Sequence, residues 1–221
     1  MDFSRKVALK NALLFCGILS SLLYVCIDII AGMMWEGYSF AHQAISELSA
    51  IGAPTRSLVA PLLMVYVVLL ITFGVGVWSS AGQNRALRVT GGLWIGIGLI
   101  GLAWTPFPMH LGEPVTSFAN TMHSIFAGVQ VSLTLLAIGF GAVAYRNWFR
   151  FYSIGTILTL LTAGVVAFGL AASGQTAWFG AIERINVYGY LLWVAVLAVV
   201  LLRADKGPGL IGGSDAQRDI T

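Results

Sequence analysis

Charge is what this sequence has least of. Only 10% of its 221 residues are Asp, Glu, Lys or Arg, against roughly a quarter in ordinary soluble domains, while 58% are hydrophobic and the mean hydropathy is +0.87. A chain so poor in charge has too little to cover a water-facing surface, which points away from a soluble globular domain and towards a polytopic membrane protein. The basic excess is small as well. The net charge is +3 and the cations are scattered over short loops instead of gathered in a patch, so a nucleic-acid partner is rejected despite a pI near 9.0. Cysteine is nearly absent. Cys16 and Cys26 share one apolar run ten positions apart, about 15 Å along a helix, too far to pair, and no disulfide framework follows. Missing too are a Gly-x-Ser-x-Gly elbow, a phosphate-binding loop, a dinucleotide fingerprint and a CxxC pair, which leaves the soluble-enzyme chemistries without a foothold.

What is present is apolar length. Runs at Leu13–Met34, Leu58–Trp78, Val89–Trp104, Phe118–Tyr145, Phe151–Ala172 and Ile185–Leu202 come close to the roughly twenty residues that a spanning helix needs, the third being the shortest. The expected fold is all-α: a bundle of six transmembrane helices forming one domain over residues 1–203, with a flexible tail over 204–221 that contains Gly207-Pro-Gly209 and Gly212-Gly-Ser-Asp215. The first run is too long for a signal peptide and no Ala-x-Ala site follows it. Of the twelve Lys and Arg, all but Arg56 and Arg184 fall on one side of this topology. The positive-inside rule then puts both termini in the cytoplasm and the protein in the plasma membrane. Gly92-x-x-x-Gly96, with Gly98 and Gly101 after it, gives the third span small faces for close packing. Trp35, Trp78, Trp104, Trp148, Trp178 and Tyr188 sit near span ends as interfacial anchors.

One long polar-bearing stretch, Gly37 to Arg56, lies between the first two spans, on the outer side of this topology. Read as a helix at about 100° per residue, it puts His42, Ser46 and Ser49 on one face, with Ala44, Leu48 and Ile51 roughly opposite. That pattern predicts an amphipathic helix at the membrane surface, capped by Ser39 and stopped by Gly52 and Pro54. All three histidines, His42, His110 and His123, fall on the same outer side, with Asp28, Glu36, Glu47, Glu113 and Glu183. A haem shuttle, which needs histidines near both faces, is disfavoured.

Asp28 is the lone acid of an apolar span, and an intramembrane carboxyl is a functional candidate by default. In the fourth span Thr116, Asn120, His123, Ala127, Gln130 and Thr134 form a polar stripe that should face the bundle interior. His123 lies at about the same depth as Asp28. Three accounts are open. In the first, Asp28 is hydrogen-bonded to His123 or Asn120 and simply fastens the first helix to the fourth. In the second, His123, His42 and His110 converge on a metal such as zinc, whose bound water would become acidic enough for hydrolysis, although no compact ligand spacing such as His-Glu-x-x-His is present. In the third, a metal-free site with His42–Ser46 or Asp28–His123 binds a polar headgroup. The candidate catalytic residues are Ser46, Glu47 and Asp28. The expected partners are membrane lipids, and the expected role is acting on or binding a lipid or amphiphile at the outer leaflet, with a non-catalytic lipid-binding or structural protein as the alternative. Transport has less to support it, because no pair of broken helices or inverted repeat is evident.

Ile45-Ser-Glu-Leu48, followed by Gly52-Ala-Pro-x-Arg56, then Phe107-Pro-Met109 and His123, resemble the prokaryotic integral membrane proteins grouped as domain of unknown function 998 (DUF998). The similarity runs from about Leu13 to Leu202. More distantly, the Ile-Ser element is similar to that of the Frag/DRAM/Sfk group, some members of which act in lipid-anchor remodelling or membrane organisation. The resemblance implies six helices and an outward-facing signature loop, and no established activity. It also implies that an acidic residue often stands where this chain has His110.

Overall fold

Each apolar run becomes one helix in the computed structural model, which describes residues 3–146, 148–173 and 177–204. The helices are α1 (Phe3–Met34), α2 (Arg56–Ser80), α3 (Arg85–Trp104), α4 (Phe118–Ala144), α5 (Trp148–Ala172) and α6 (Phe179–Ala204). All six are long and apolar enough to cross a membrane. The shortest, α3, has 20 residues, about 30 Å and so one hydrocarbon thickness. The described residues contain no strand beyond a single bridge between Ile51 and His110. The expected tail lies, from residue 205, outside the described residues.

Helix ends are set by local polar side chains. Asn84 caps α3 by accepting from the Leu87 N–H at 3.1 Å while its amide donates to the Ala144 carbonyl at 3.0 Å, joining the α2–α3 turn to the end of α4. Ser117 caps α4 by accepting from the Asn120 N–H at 3.3 Å. Each helix packs on its neighbours in the chain and α6 returns onto α1, closing a ring. Phe73, Trp94, Phe149 and Trp193 fill its centre without exposure. The indoles of Trp94 and Trp193 stack at 6.1 Å, and Trp193 donates to Ser153 Oγ at 2.9 Å.

Because lipid tails are as apolar as leucine, helices in a bilayer associate through close packing. The tightest seam is α2 on α3. A Cβ at Gly91 would lie 2.5 Å from the Trp78 nitrogen, one at Gly74 would lie 2.7 Å from the Ile95 nitrogen, and one at Gly98 would run into Ile71. The expected Gly92–Gly96 pair is not the seam. Gly92 meets the Trp78 ring and Gly96 faces open space.

The stretch from Gly37 to Arg56 differs from the expected amphipathic helix. Residues 36–43 form turns, and only Ile45–Ser49 is helical, as a single short 3₁₀ segment. Its polar side chains take hydrogen bonds that an α-helix would need. Glu47 accepts from the Ala44 N–H at 2.9 Å and from Gln43 Nε2 at 3.0 Å, and Gln43 accepts from the Ser39 N–H at 2.9 Å. Carbonyls of the stretch are claimed by side chains as well. Arg184 donates through Nη1 to Phe40 at 2.7 Å and to Gln43 at 3.0 Å, and the Tyr38 hydroxyl donates to Ala44 at 2.8 Å.

Arg184 was expected in a connecting loop, but it lies inside α6 and is buried. Its Nε donates to Asp28 Oδ2 at 2.9 Å and its Nη2 to Oδ1 at 2.8 Å, a two-point pairing with a carboxylate that is 0% exposed. Nη2 also donates to the Tyr38 oxygen at 2.7 Å, and Nη1 to the Gly180 carbonyl at 3.1 Å. Every guanidinium N–H thus has an acceptor. The Phe40 ring lies 4.9 Å from the guanidinium carbon, adding a cation–π contact. Tyr188 donates to Asp28 Oδ2. Burial pushes the Tyr38 phenol up to about 12, with Arg184 opposing the rise, so Tyr38 is neutral and keeps the proton it donates. The expected Asp28–His123 fastening is therefore replaced: Asp28 ties α1 to α6 and, through Arg184, to the loop.

Two outcomes follow. Gly91→Leu and Gly74→Leu should each destabilise the protein by about 2 kcal/mol or more through overpacking, whereas Gly96→Leu should be near neutral; thermal unfolding in detergent checks the contrast. Asp28→Asn strands the buried Arg184 cation and should cost about 3 kcal/mol, typical of breaking one side of a buried pair. In the double variant Asp28→Asn/Arg184→Gln part of that loss should return, and the same melts read it.

Candidate functional site

On the face that carries the α1–α2 and α3–α4 loops, a groove of about 180 Å³ opens between α1, α2, α3 and α4. That volume is close to the ~150 Å³ of an engineered cavity that holds one benzene, enough for a headgroup or a short length of chain. Its walls are apolar and aromatic: Tyr24 and Ile27 from α1, Val59, Leu63, Met64 and Val67 from α2, Gly101 and Trp104 from α3. Polar side chains are fewer, namely Ser46, Ser49, Arg56, Thr105, His123, Gln130 and the tyrosines Tyr24 and Tyr66, and among the described residues no carboxylate lines the groove.

The two loops that form the mouth are stitched together. The Ile51 N–H donates to the Met109 carbonyl at 2.8 Å and the Leu111 N–H to the Ile51 carbonyl at 3.0 Å. Asn120, buried at the start of α4, holds the α3–α4 loop from inside: its oxygen accepts from the His110 N–H at 2.9 Å and its amide donates to the carbonyls of His110, Glu113 and Pro114. The positive φ of +94° at Gly52 lets the chain turn from the 3₁₀ segment into α2, a conformation L side chains resist. Thr55 then donates to the Leu48 carbonyl at 2.7 Å, and Arg56 Nη1 to the Ser49 carbonyl.

His123 reaches the groove with its Nδ1 accepting from Trp104 Nε1 at 3.0 Å, which leaves its proton on Nε2. Behind it Trp104 stacks on Phe126 at 6.1 Å and Phe107 on Phe126 at 5.5 Å, so an aromatic wall sets the imidazole's position. Ser46 is lightly committed. Its hydroxyl has the Met109 sulfur at 3.7 Å as a weak acceptor. Among the described residues no carboxylate pairs with Arg56.

Of the residues singled out from the sequence, Ser46 and His123 share the groove. Glu47 caps the 3₁₀ segment and Asp28 belongs to the Arg184 pair. His42 accepts from the Trp178 N–H at 3.3 Å, and His110 pairs with Glu113 at 2.9 Å. The three histidines thus have three separate sets of partners. Among the described residues no three His, Cys, Asp or Glu are grouped to hold a metal. From the expected stripe, Asn120 and Thr134 are buried, and His123 and Gln130 line the groove. Arg184 and Arg56 went unread as functional residues, though they were the only cations on the side that also holds an intramembrane acid. Trp104, expected only as an anchor, positions His123.

No curated protein and no solved structure matches the chain. A family model described as a protein of unknown function (DUF998) matches residues 18–200, a span that reaches into all six helices and contains both stitched loops. The chain belongs to the DUF998 family.

Proposed function

We propose that this membrane protein binds an amphiphile, a lipid or a lipid-like molecule, with its head at the polar mouth of the groove and its chain along the apolar wall. The observation that carries the reading is the groove's lining, a cation and two serines at the loop end above a mainly apolar wall in which Tyr24, Tyr66 and Gln130 are the polar-bearing members. Ser46, Ser49 and Arg56 stand at the loop end, and Leu63, Met64 and Val67 continue down α2. Eleven residues separate Arg56 from Val67, about 16 Å of helix, which is half of a ~30 Å hydrocarbon layer. The groove is therefore about one leaflet deep, and the skew of the cations to the other side supports the extracytoplasmic leaflet, with both termini cytoplasmic.

Binding without turnover fits the side chains better than hydrolysis. A serine nucleophile needs a base within hydrogen-bond reach, and the group at Ser46 Oγ is the Met109 thioether. Glu47 and Asp28 have both carboxylate oxygens engaged in holding the loop.

Delipidated protein should gain stability from added short-chain lipid, because a ligand that binds only the folded form stabilises it by about 2.7 kcal/mol at a hundredfold excess over Kd. Ala60→Phe, which fills the groove beside Leu63, should keep the fold and abolish the shift in melting temperature. Equal shifts in both proteins would refute the site. For orientation, in a chain freed of Cys16 and Cys26, cysteine introduced by Thr116→Cys should react with an impermeant thiol reagent from outside intact cells, and cysteine introduced by Gln83→Cys should not. The reverse order of labelling would place the groove in the cytoplasmic leaflet.

A further inference from the structure

Among the described residues the groove is lined by one formal charge, Arg56, and by no carboxylate to balance it. We infer that the head it holds is an anion, the phosphate of a lipid with no cationic group of its own; this rests on the amphiphile reading above. The two arginines of the loop face make the case by contrast. Arg184 has an acceptor for every N–H and a carboxylate facing its fork. Arg56 is half-buried at the head of α2, and among the described residues its side chain makes one hydrogen bond, to the neutral Ser49 carbonyl through Nη1. Among the described residues no Arg56 nitrogen is both buried and without a partner, so the donors not used on Ser49 are accessible to a ligand. These donors form the planar fork that matches a phosphate or carboxylate at two points.

The surroundings favour the same ligand. Ser46 and Ser49 line the groove with Arg56. The Ser46 hydroxyl has only the Met109 sulfur to lose on turning to a phosphate oxygen. Among the described residues no Asp or Glu lines the groove to repel an anion or to receive an ammonium group, so the lining complements an acidic head and offers no carboxylate to a zwitterionic one. The apolar wall running about 16 Å below Arg56 commits the anion to a lipid and not to a free phosphate, because a soluble ion would leave that wall without a function.

The test compares four probes on the full-length, delipidated protein: dioctanoyl phosphatidylglycerol, dioctanoyl phosphatidylcholine, dioctanoylglycerol and glycerophosphate. Phosphatidylglycerol should bind about tenfold more tightly than dioctanoylglycerol, the size expected of a charge-assisted hydrogen bond, and more tightly than phosphatidylcholine. That preference should vanish in Arg56→Gln and persist, reduced, in Arg56→Lys. Equal binding of phosphatidylglycerol and dioctanoylglycerol to the wild type, or an unchanged preference in Arg56→Gln, overturns the anion and leaves the amphiphile groove standing. Phosphatidylcholine binding as tightly as phosphatidylglycerol overturns it in the same way. Binding of no lipid overturns both readings. Glycerophosphate alone binding as well as the lipid overturns the lipid as the source of the anion. If Arg56→Gln does not fold, the wild-type ratio of phosphatidylglycerol to dioctanoylglycerol decides, and a ratio near one sinks the inference.

Discussion

A buried guanidinium against a buried carboxylate is the contact on which the loop face depends. Asp28 and Arg184 lie in two helices that the chain separates by most of its length, and each would be prohibitively costly alone in an apolar surrounding. Together they close α6 onto α1. The pairing leaves Arg184 Nη1 free to take the Phe40 and Gln43 carbonyls, so one side chain both closes the ring of helices and shapes the loop above it. Gly180 shows how closely the loop is seated: a Cβ there would run into the Gln43 and Phe40 carbonyls. From this anchored stretch the Ile51 pairing with Met109 and Leu111 transmits order to the α3–α4 loop. The groove's polar mouth thus stands on a frame set by one ion pair.

Packing elsewhere follows the same economy of small residues and few polar contacts. Gly74, Gly91 and Gly98 bring α2 and α3 into backbone contact, and the aromatic centre around Trp94 and Trp193 fills the ring. On the loop side, between α1, α2, α3 and α4, the packing opens into the groove. There the side chains change from filling space to lining it. Trp104 illustrates the transition, with one face of the indole on the Phe126 stack and its N–H on His123.

The six helices were legible because burial in lipid leaves a signal in every residue of a span, and hydropathy alone reads it. The loop between α1 and α2 was not. Its period fits an amphipathic helix, but carbonyls that such a helix would use are held by Arg184, more than a hundred residues away in sequence, and local periodicity carries no trace of that competition. Arg184 itself was hidden because its apolar run starts at Ile185, while α6 begins six residues earlier at Phe179. Asp28 was correctly marked as exceptional and given the wrong partner, since depth matching to His123 ignored the opposite charge on the same side. Ser46 and His123 were singled out from separate stretches, and the fold brings both to one groove. His42 and His110 were gathered into the same hypothesis by topological side alone, and side is too coarse to predict convergence.

The most direct test of the account is an experimental density map of the full-length protein in a bilayer disc containing anionic lipid. The account expects a lipid in the groove between Tyr24, Leu63 and Gly101, its head against Arg56 and Ser46, below a loop held by an intact Asp28–Arg184 pair. An empty or collapsed groove in such a map, or a loop face ordered without that pair, would contradict it.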